Sequence, residues 1–191
     1  MAAKVPHIVL GVTGSIAAYQ AAALVRLMRR RNWAVSVVMT RAATEFVTPL
    51  TFQTLSCNAV GTGLFDEKDG WHPEHIAYAD RADVLVIAPC TANVLAKLAH
   101  GLADDLLTCT ALATHAPLVL APAMNVKMWE HAATQANVEL LKSRGTTLAG
   151  PCQGDLACGY EGSGRMIEPD EIVRTVAAIL AAGIRKKESK R

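Results

Sequence analysis

Residues 7–20 read HIVLGVTGSIAAYQ. An apolar, β-branched run over 7–12 ends on Thr13-Gly14-Ser15 and passes into a long Ala/Leu/Arg stretch over 16–31. This is the pattern of a strand, a tight turn and a helix. Working outward, residues 34–39 (AVSVVM) are a second apolar run, and 82–88 (ADVLVIA) and 117–121 (PLVLA) are two more, each leading through a polar loop into helix-compatible sequence. Residues 146–149 are a candidate fifth strand. Short strands apolar on both faces, alternating with helices, predict a single α/β domain: a Rossmann-like or flavodoxin-like parallel sheet flanked by helices. In such sheets ligands bind beyond the C-terminal strand ends, so the loops 13–15, 40–43, 89–93 and 122–128 are expected to converge on one site.

At 191 residues the chain is long enough for one compact domain. The expected division is a domain over 1–182 and a disordered basic tail over 183–191. The balance of 19 basic and 17 acidic residues gives +2. Basic residues cluster only at Arg29-Arg30-Arg31 and Arg185-Lys186-Lys187, which read as a solvated helix end and a frayed terminus. Nucleic acid is not indicated as a partner. No apolar run reaches the ~20 residues of a membrane span, and the N-terminus carries no cleavage signal, so a soluble cytoplasmic protein is expected. Five cysteines (Cys57, Cys90, Cys109, Cys152, Cys158), odd in number and in no C-x-x-C pair, read as reduced thiols, and no metal site is expected.

Chemistry gathers in the loops. The turn Thr13-Gly14-Ser15 at a helix mouth suits a phosphate, held by exposed N–H groups and the helix dipole with Ser15 as a further donor. The spacing G-x-G-x-x-G is absent, and Met39-Thr40-Arg41 stands where a dinucleotide site needs an acidic residue, so a mononucleotide is favoured. Pro89-Cys90-Thr91-Ala92-Asn93 offers a hydroxyl and an amide, or simply a helix N-cap. Pro122-Ala123-Met124-Asn125-Val126-Lys127-Met128-Trp129 places an amide, two thioethers and an indole in one loop. Such a set suits an aromatic ring and a carboxylate, and equally an ordinary core. Residues 151–166 (PCQGDLACGYEGSGRM) have no usable periodicity and read as an irregular loop, a lid or flap. Within it, Cys158 is either a proton donor delivered onto a substrate or a plain loop cysteine. Residues 168–180 read as a closing helix, with Pro169 near its first turn.

In order and spacing, Gly14-Ser15-Ile16-Ala17-Ala18-Tyr19, His75-Ile76, Ala88-Pro89-Cys90-Thr91-Ala92-Asn93, the 122–129 element, and Ala157-Cys158-Gly159 with Gly162-Ser163-Gly164-Arg165-Met166 resemble the flavin-containing cysteine decarboxylases across residues 5–180. That resemblance implies FMN as cofactor and a homo-oligomer, a trimer or a dodecamer of trimers, with FMN between neighbouring subunits. It implies decarboxylation of (R)-4'-phospho-N-pantothenoyl-L-cysteine to 4'-phosphopantetheine in coenzyme A biosynthesis. Carried over by position, His75 is the base that orients the substrate, Asn125 holds its carboxylate and Cys158 donates the proton. Gly14, Ser15, Ile16, Thr40, Thr91, Ala92, Asn93 and Ala123 fall on cofactor positions. Asn125, Met128, Ala157, Gly164, Arg165 and Met166 fall on substrate positions.

Trp71-His72-Pro73 departs from the family's pattern. Related branches are lantibiotic-type peptidyl-cysteine decarboxylases, which do not need the flap cysteine, and flavin prenyltransferases, which lack the Pro-Ala-Met-Asn element. Non-catalytic regulatory members carry acidic tails. Cys158, Asn125 and the basic tail favour the coenzyme A branch. A phosphopantothenate-cysteine ligase, as a fused domain or a separate protein, is the implied partner. An NAD-linked oxidoreductase, the rival outside the family, lacks its third glycine and acidic residue here.

Overall fold

A computed structural model describes residues 4–65, 73–155 and 161–188. In chain order its elements are β1 (His7–Val12), α1 (Ala18–Arg30), β2 (Ala34–Met39), α2 (Arg41–Thr44), α3 (Pro49–Ser56), β3 (Val60–Gly61), α4 (Glu74–Arg81), β4 (Val84–Cys90), α5 (Ala92–His100), α6 (Leu106–Ala113), β5 (Leu118–Pro122), α7 (Val126–Glu130), α8 (Ala132–Ser143), β6 (Thr147–Leu148), β7 (Cys152–Asp155), β8 (Glu161–Arg165) and α9 (Pro169–Glu188). Six strands form one parallel sheet in the order β3-β2-β1-β4-β5-β6. The chain winds outward from β1 in one direction and from β4 in the other, so the winding reverses between them.

Alternate residues explain why the strands are apolar throughout. Ile8, Leu10 and Val12 point into one cluster with Val84, Val86 and Ala88, against Leu24 and Met28 of α1 and Ile172 and Val176 of α9. Val9, Leu85, Ile87 and Leu120 point the other way, against Leu95, Leu106, Leu107 and Leu141 of α5, α6 and α8. With side chains alternating between faces and both faces covered, no position in the central strands tolerates water. Each such leucine or isoleucine contributes about 1.5–3 kcal/mol through burial. A Cβ at Gly11 would lie 2.5 Å from Leu107 Cδ1, so this glycine lets α6 seat against β1.

Helix ends follow local chemistry. Pro49 opens α3, Cys57 at φ 57° and Gly101 at φ 70° close α3 and α5 in the left-handed region, and Asp105 and Thr108 form a capping box on α6.

Three expectations are corrected. Within 151–166, the described residues are not irregular throughout: β7 and β8 pair as an antiparallel ribbon, with Gln153 opposite Ser163 and Gly154 opposite Gly162. Glycine and polar residues leave no apolar alternation to read there, and main-chain pairing defines the ribbon. The third and fourth runs are shifted, β4 reaching Cys90 and β5 reaching Pro122. Finally, α9 continues past Leu180 to Glu188, through part of the segment read as a tail.

At the opposite sheet edge from these loops, His7 Nε2 lies 2.9 Å from Ser36 Oγ, and the His7 N–H donates to Asp83 Oδ2 at 2.9 Å. Desolvation, with Arg81 adding to it, lowers the His7 pKa below 6.5 against the opposing pull of Asp83. Below the unfolded pKa the unfolded chain binds the proton more readily, so His7 contributes stability above about pH 6.5 that is lost as pH falls through the lower folded value. His7→Gln should therefore flatten the decline in urea midpoint between pH 7.5 and pH 5. Parallel declines in the two proteins would assign the slope elsewhere.

Candidate functional site

Four loops at the C-terminal edge of the sheet line a single cleft of about 570 Å³. Gly14 and Ser15 follow β1, Thr40, Arg41 and Ala42 follow β2, Thr91, Ala92 and Asn93 follow β4, and Ala123, Met124 and Met128 follow β5. The volume lies within the range of small-molecule and cofactor sites.

Three helices, α1, α2 and α5, begin here. Thr40 caps α2 by accepting the Ala43 N–H at 3.3 Å, and Thr91 caps α5 by accepting the Val94 N–H at 3.4 Å. In contrast, α1 starts from Ala17 without a side-chain cap acting as its acceptor. Among the described residues the N–H groups of Gly14 and Ile16 find no acceptor, and neither do those of Ala92 and Asn93. Unpaired N–H groups at a helix start attract anions and carbonyl oxygens. Gly14 is required for the first pair, because any Cβ there would collide with Ala42 Cβ and lie 3.0 Å from its backbone.

On the cleft wall, Lys97 Nζ binds Asp104 Oδ1 at 2.6 Å and Asp105 Oδ2 at 3.2 Å. Its pKa is raised, chiefly by the hydrogen bond to Asp104, and that bond in turn lowers the Asp104 pKa. Lys97 therefore stays charged and already compensated, so anion binding falls to the main chain. Cys90 lies behind the wall, fully buried, and burial pushes its thiol up to about 12. It stays protonated and serves as packing.

Of the residues singled out in the sequence, Gly14, Ser15, Thr40, Thr91, Ala92, Asn93, Ala123 and Met128 line this cleft. Ile16 stands beside it, 58% exposed. Asn125 is the N-cap of α7, its Oδ1 accepting the Lys127 N–H at 2.9 Å. Gly164 meets the same loop, its carbonyl accepting the Met124 N–H at 2.9 Å. The structure does not bring the others to the cleft of one chain. His75 sits part-buried in the first turn of α4, Arg165 pairs outward with Glu168 at 2.9 Å, and Met166 is 1% exposed in the core, where it anchors the ribbon. Ala157 and Cys158 lie outside the described residues.

Sequence reasoning missed Lys97 and Asp105. Lys97 was findable, since it lies one turn below Asn93 and Val94 on the same face of α5. Asp105 carried a capping signal, Asp-x-x-Thr, which says nothing about a cleft.

The flavoprotein family model matches residues 2–181. The coenzyme A biosynthesis bifunctional protein CoaBC of Haemophilus influenzae is 50% identical over 166 residues, covering 87% of this chain and 42% of the relative. The chain thus spans about two fifths of the length of the curated relatives it matches. Among solved structures, a mutant PPC decarboxylase complexed with pantothenoylaminoethenethiol is 36% identical with a TM-score of 0.82, covering 92% of this chain and 98% of that one. The FMN binding protein AtHal3 is 35% identical with a TM-score of 0.80, covering 94% and 98%.

Gly14→Val should push α2 away from the turn and weaken flavin binding at least about tenfold, as read by flavin fluorescence on titration, with the far-ultraviolet spectrum retained. Unaltered affinity would mean that the close approach of Gly14 and Ala42 is incidental to binding.

Proposed function

The chain belongs to the flavoprotein family, and from that membership we propose that it catalyses FMN-dependent decarboxylation of (R)-4'-phospho-N-pantothenoyl-L-cysteine to 4'-phosphopantetheine in coenzyme A biosynthesis. The cleft supports this reading: it has unpaired N–H groups at the Gly14-Ser15 turn, a second pair at Ala92 and Asn93, and soft walls at Ala123, Met124 and Met128. One phosphate and one planar ring system fit that donor set. A dinucleotide would need a second phosphate cradle.

When bound, FMN supplies a two-electron acceptor for the thiol-bearing carbon of the substrate and returns those electrons after carbon dioxide has left, so there is no net redox change. The Gly14 and Ile16 N–H groups and the Ser15 hydroxyl hold the phosphate. Thr40, Thr91, Ala92, Asn93 and Ala123 frame the remainder. Asn125, fixed at the start of α7, presents its amide to the substrate carboxylate, with Met128, Gly164, Arg165 and, outside the described residues, Ala157 as the further substrate positions. His75 orients the substrate, and Cys158 delivers a proton to carbon as the electrons return.

His75 does not line the cleft of its own chain, which supports a site built between subunits of a homo-oligomer, a trimer or a dodecamer of trimers, in which His75 serves a neighbour's cleft. Exposed apolar residues on the segments following the cleft loops support the same arrangement: Tyr19 at 62%, Phe46 at 49% and Leu50 at 68%. No helix among the described residues is long and apolar enough to cross a membrane. We place the protein in the cytoplasm, with a phosphopantothenate-cysteine ligase as a fused or separate partner.

Incubation with the substrate under mass spectrometry should show loss of one carbon dioxide, and an inert FMN-loaded protein would overturn the reading. His75→Asn should abolish turnover while FMN and the oligomer persist. Loss of FMN instead would make His75 structural. Cys158→Ser should still release carbon dioxide but stop at the enethiol, two hydrogens short of phosphopantetheine. Normal phosphopantetheine formation at an undiminished rate would assign the proton to another group.

A further inference from the structure

The backbone ladder joining β1 to β4 stops at Gly11 and Ile87. Just beyond, the ladder between β4 and β5 also skips, resuming at Cys90. The loops 13–15 and 89–93 nevertheless meet in one cleft, and one side chain joins them there. The Thr13 hydroxyl, in a residue with no exposed surface, donates to the Pro89 carbonyl at 2.7 Å and accepts the Thr91 N–H at 3.1 Å. The single O–H donor and one of the oxygen's two lone pairs are thereby used.

Both ends of this clip lead to binding groups. The Thr13 carbonyl accepts the Ser15 N–H at 2.9 Å and so shapes the turn that leaves the Gly14 and Ile16 N–H groups unpaired. Thr91 is the N-cap of α5, so fixing its N–H fixes where the Ala92 and Asn93 N–H groups lie. We propose that Thr13 is a positioning residue that sets the separation between the start of α1 and the start of α5, so that a ligand with a phosphate at one end and a ring system at the other engages both together. This rests on the FMN reading above. Once a ligand has bound at one end, its second contact is intramolecular, and it gains affinity only when the spacing of the two sites matches the ligand. A ligand that reaches one end alone gains nothing from the spacing.

That distinction separates positioning from a general structural role. Thr13→Val keeps the shape and removes both hydrogen bonds, whereas Thr13→Ser keeps the hydroxyl. With the full chain freed of flavin, dissociation constants are measured for FMN and riboflavin by fluorescence quenching, and for inorganic phosphate by competition. Thr13→Val should weaken FMN at least about tenfold while riboflavin and phosphate change less than about twofold, and Thr13→Ser should restore FMN binding. Unchanged FMN affinity, equal losses for all three ligands, or a serine variant no better than valine would each overturn the proposal. If the valine variant does not fold, Thr13→Ala provides the same comparison. A wild-type chain with no affinity for FMN would sink the cofactor reading and this proposal together. Normal FMN binding by Thr13→Val would sink this proposal alone.

Discussion

Burial of both faces of the sheet is the constraint on which the rest of the protein depends. The central strands have no solvated side, so burial is continuous from Ile8 to Val12 and from Val84 to Cys90. Apart from Ser36 within β2, which pairs with His7, polar chemistry is then confined to the strand ends. Because the winding reverses between β1 and β4, the loops leaving these two strands turn to opposite faces and leave a crevice between them. The cleft is thus a by-product of strand order, and the loop residues tune what it accepts.

The cleft is tuned mainly by the backbone. Its lysine is already compensated by two aspartates, and the guanidinium of Arg41 belongs to a residue exposed at the mouth. The groups left for an anion are main-chain N–H donors held in place by turns, caps and the Thr13 clip. Such donors cannot swing away or titrate, and they need no reorganisation when a ligand arrives. That favours a cofactor that stays in one place while the substrate comes and goes.

Legibility followed burial. Both β1 and β2 begin and end at the residues where their apolar runs begin and end, because every residue of those runs is needed to seal a face. Of the two-residue edge strands, β3 carries too little pattern to read, whereas β6 lies within the run 146–149 read as a candidate strand. The ribbon was illegible for a different reason: its pairing is carried by backbone bonds between glycines and polar residues, which leave no trace in hydropathy. The cleft-lining residues close behind the strands were legible because helix starts demand hydroxyls and glycines. Lys97 and Asp105 reach the same cavity from farther along the chain, and only folding puts them there. Met166 shows the reverse case, a motif residue that packs in the core and not at the cleft.

The hydrogen bond from Met124 N–H to the Gly164 carbonyl joins the ribbon to the loop that carries Asn125. Gly164, at φ 150°, packs so closely on Met124 that no side chain could stand between them, and the next residues of the chain after the ribbon, Met166 and Ile167, are buried in the core. Loop and ribbon therefore constitute one transplantable unit. Exchanging the ribbon alone with that of another protein would break the seam along Met124, whereas moving residues 122–128 and 151–167 together would carry the seam intact. Changes in substrate range that act through the ribbon must then be inherited as pairs across that seam, and sequence variation in the two segments should be coupled more tightly than either is to the phosphate turn.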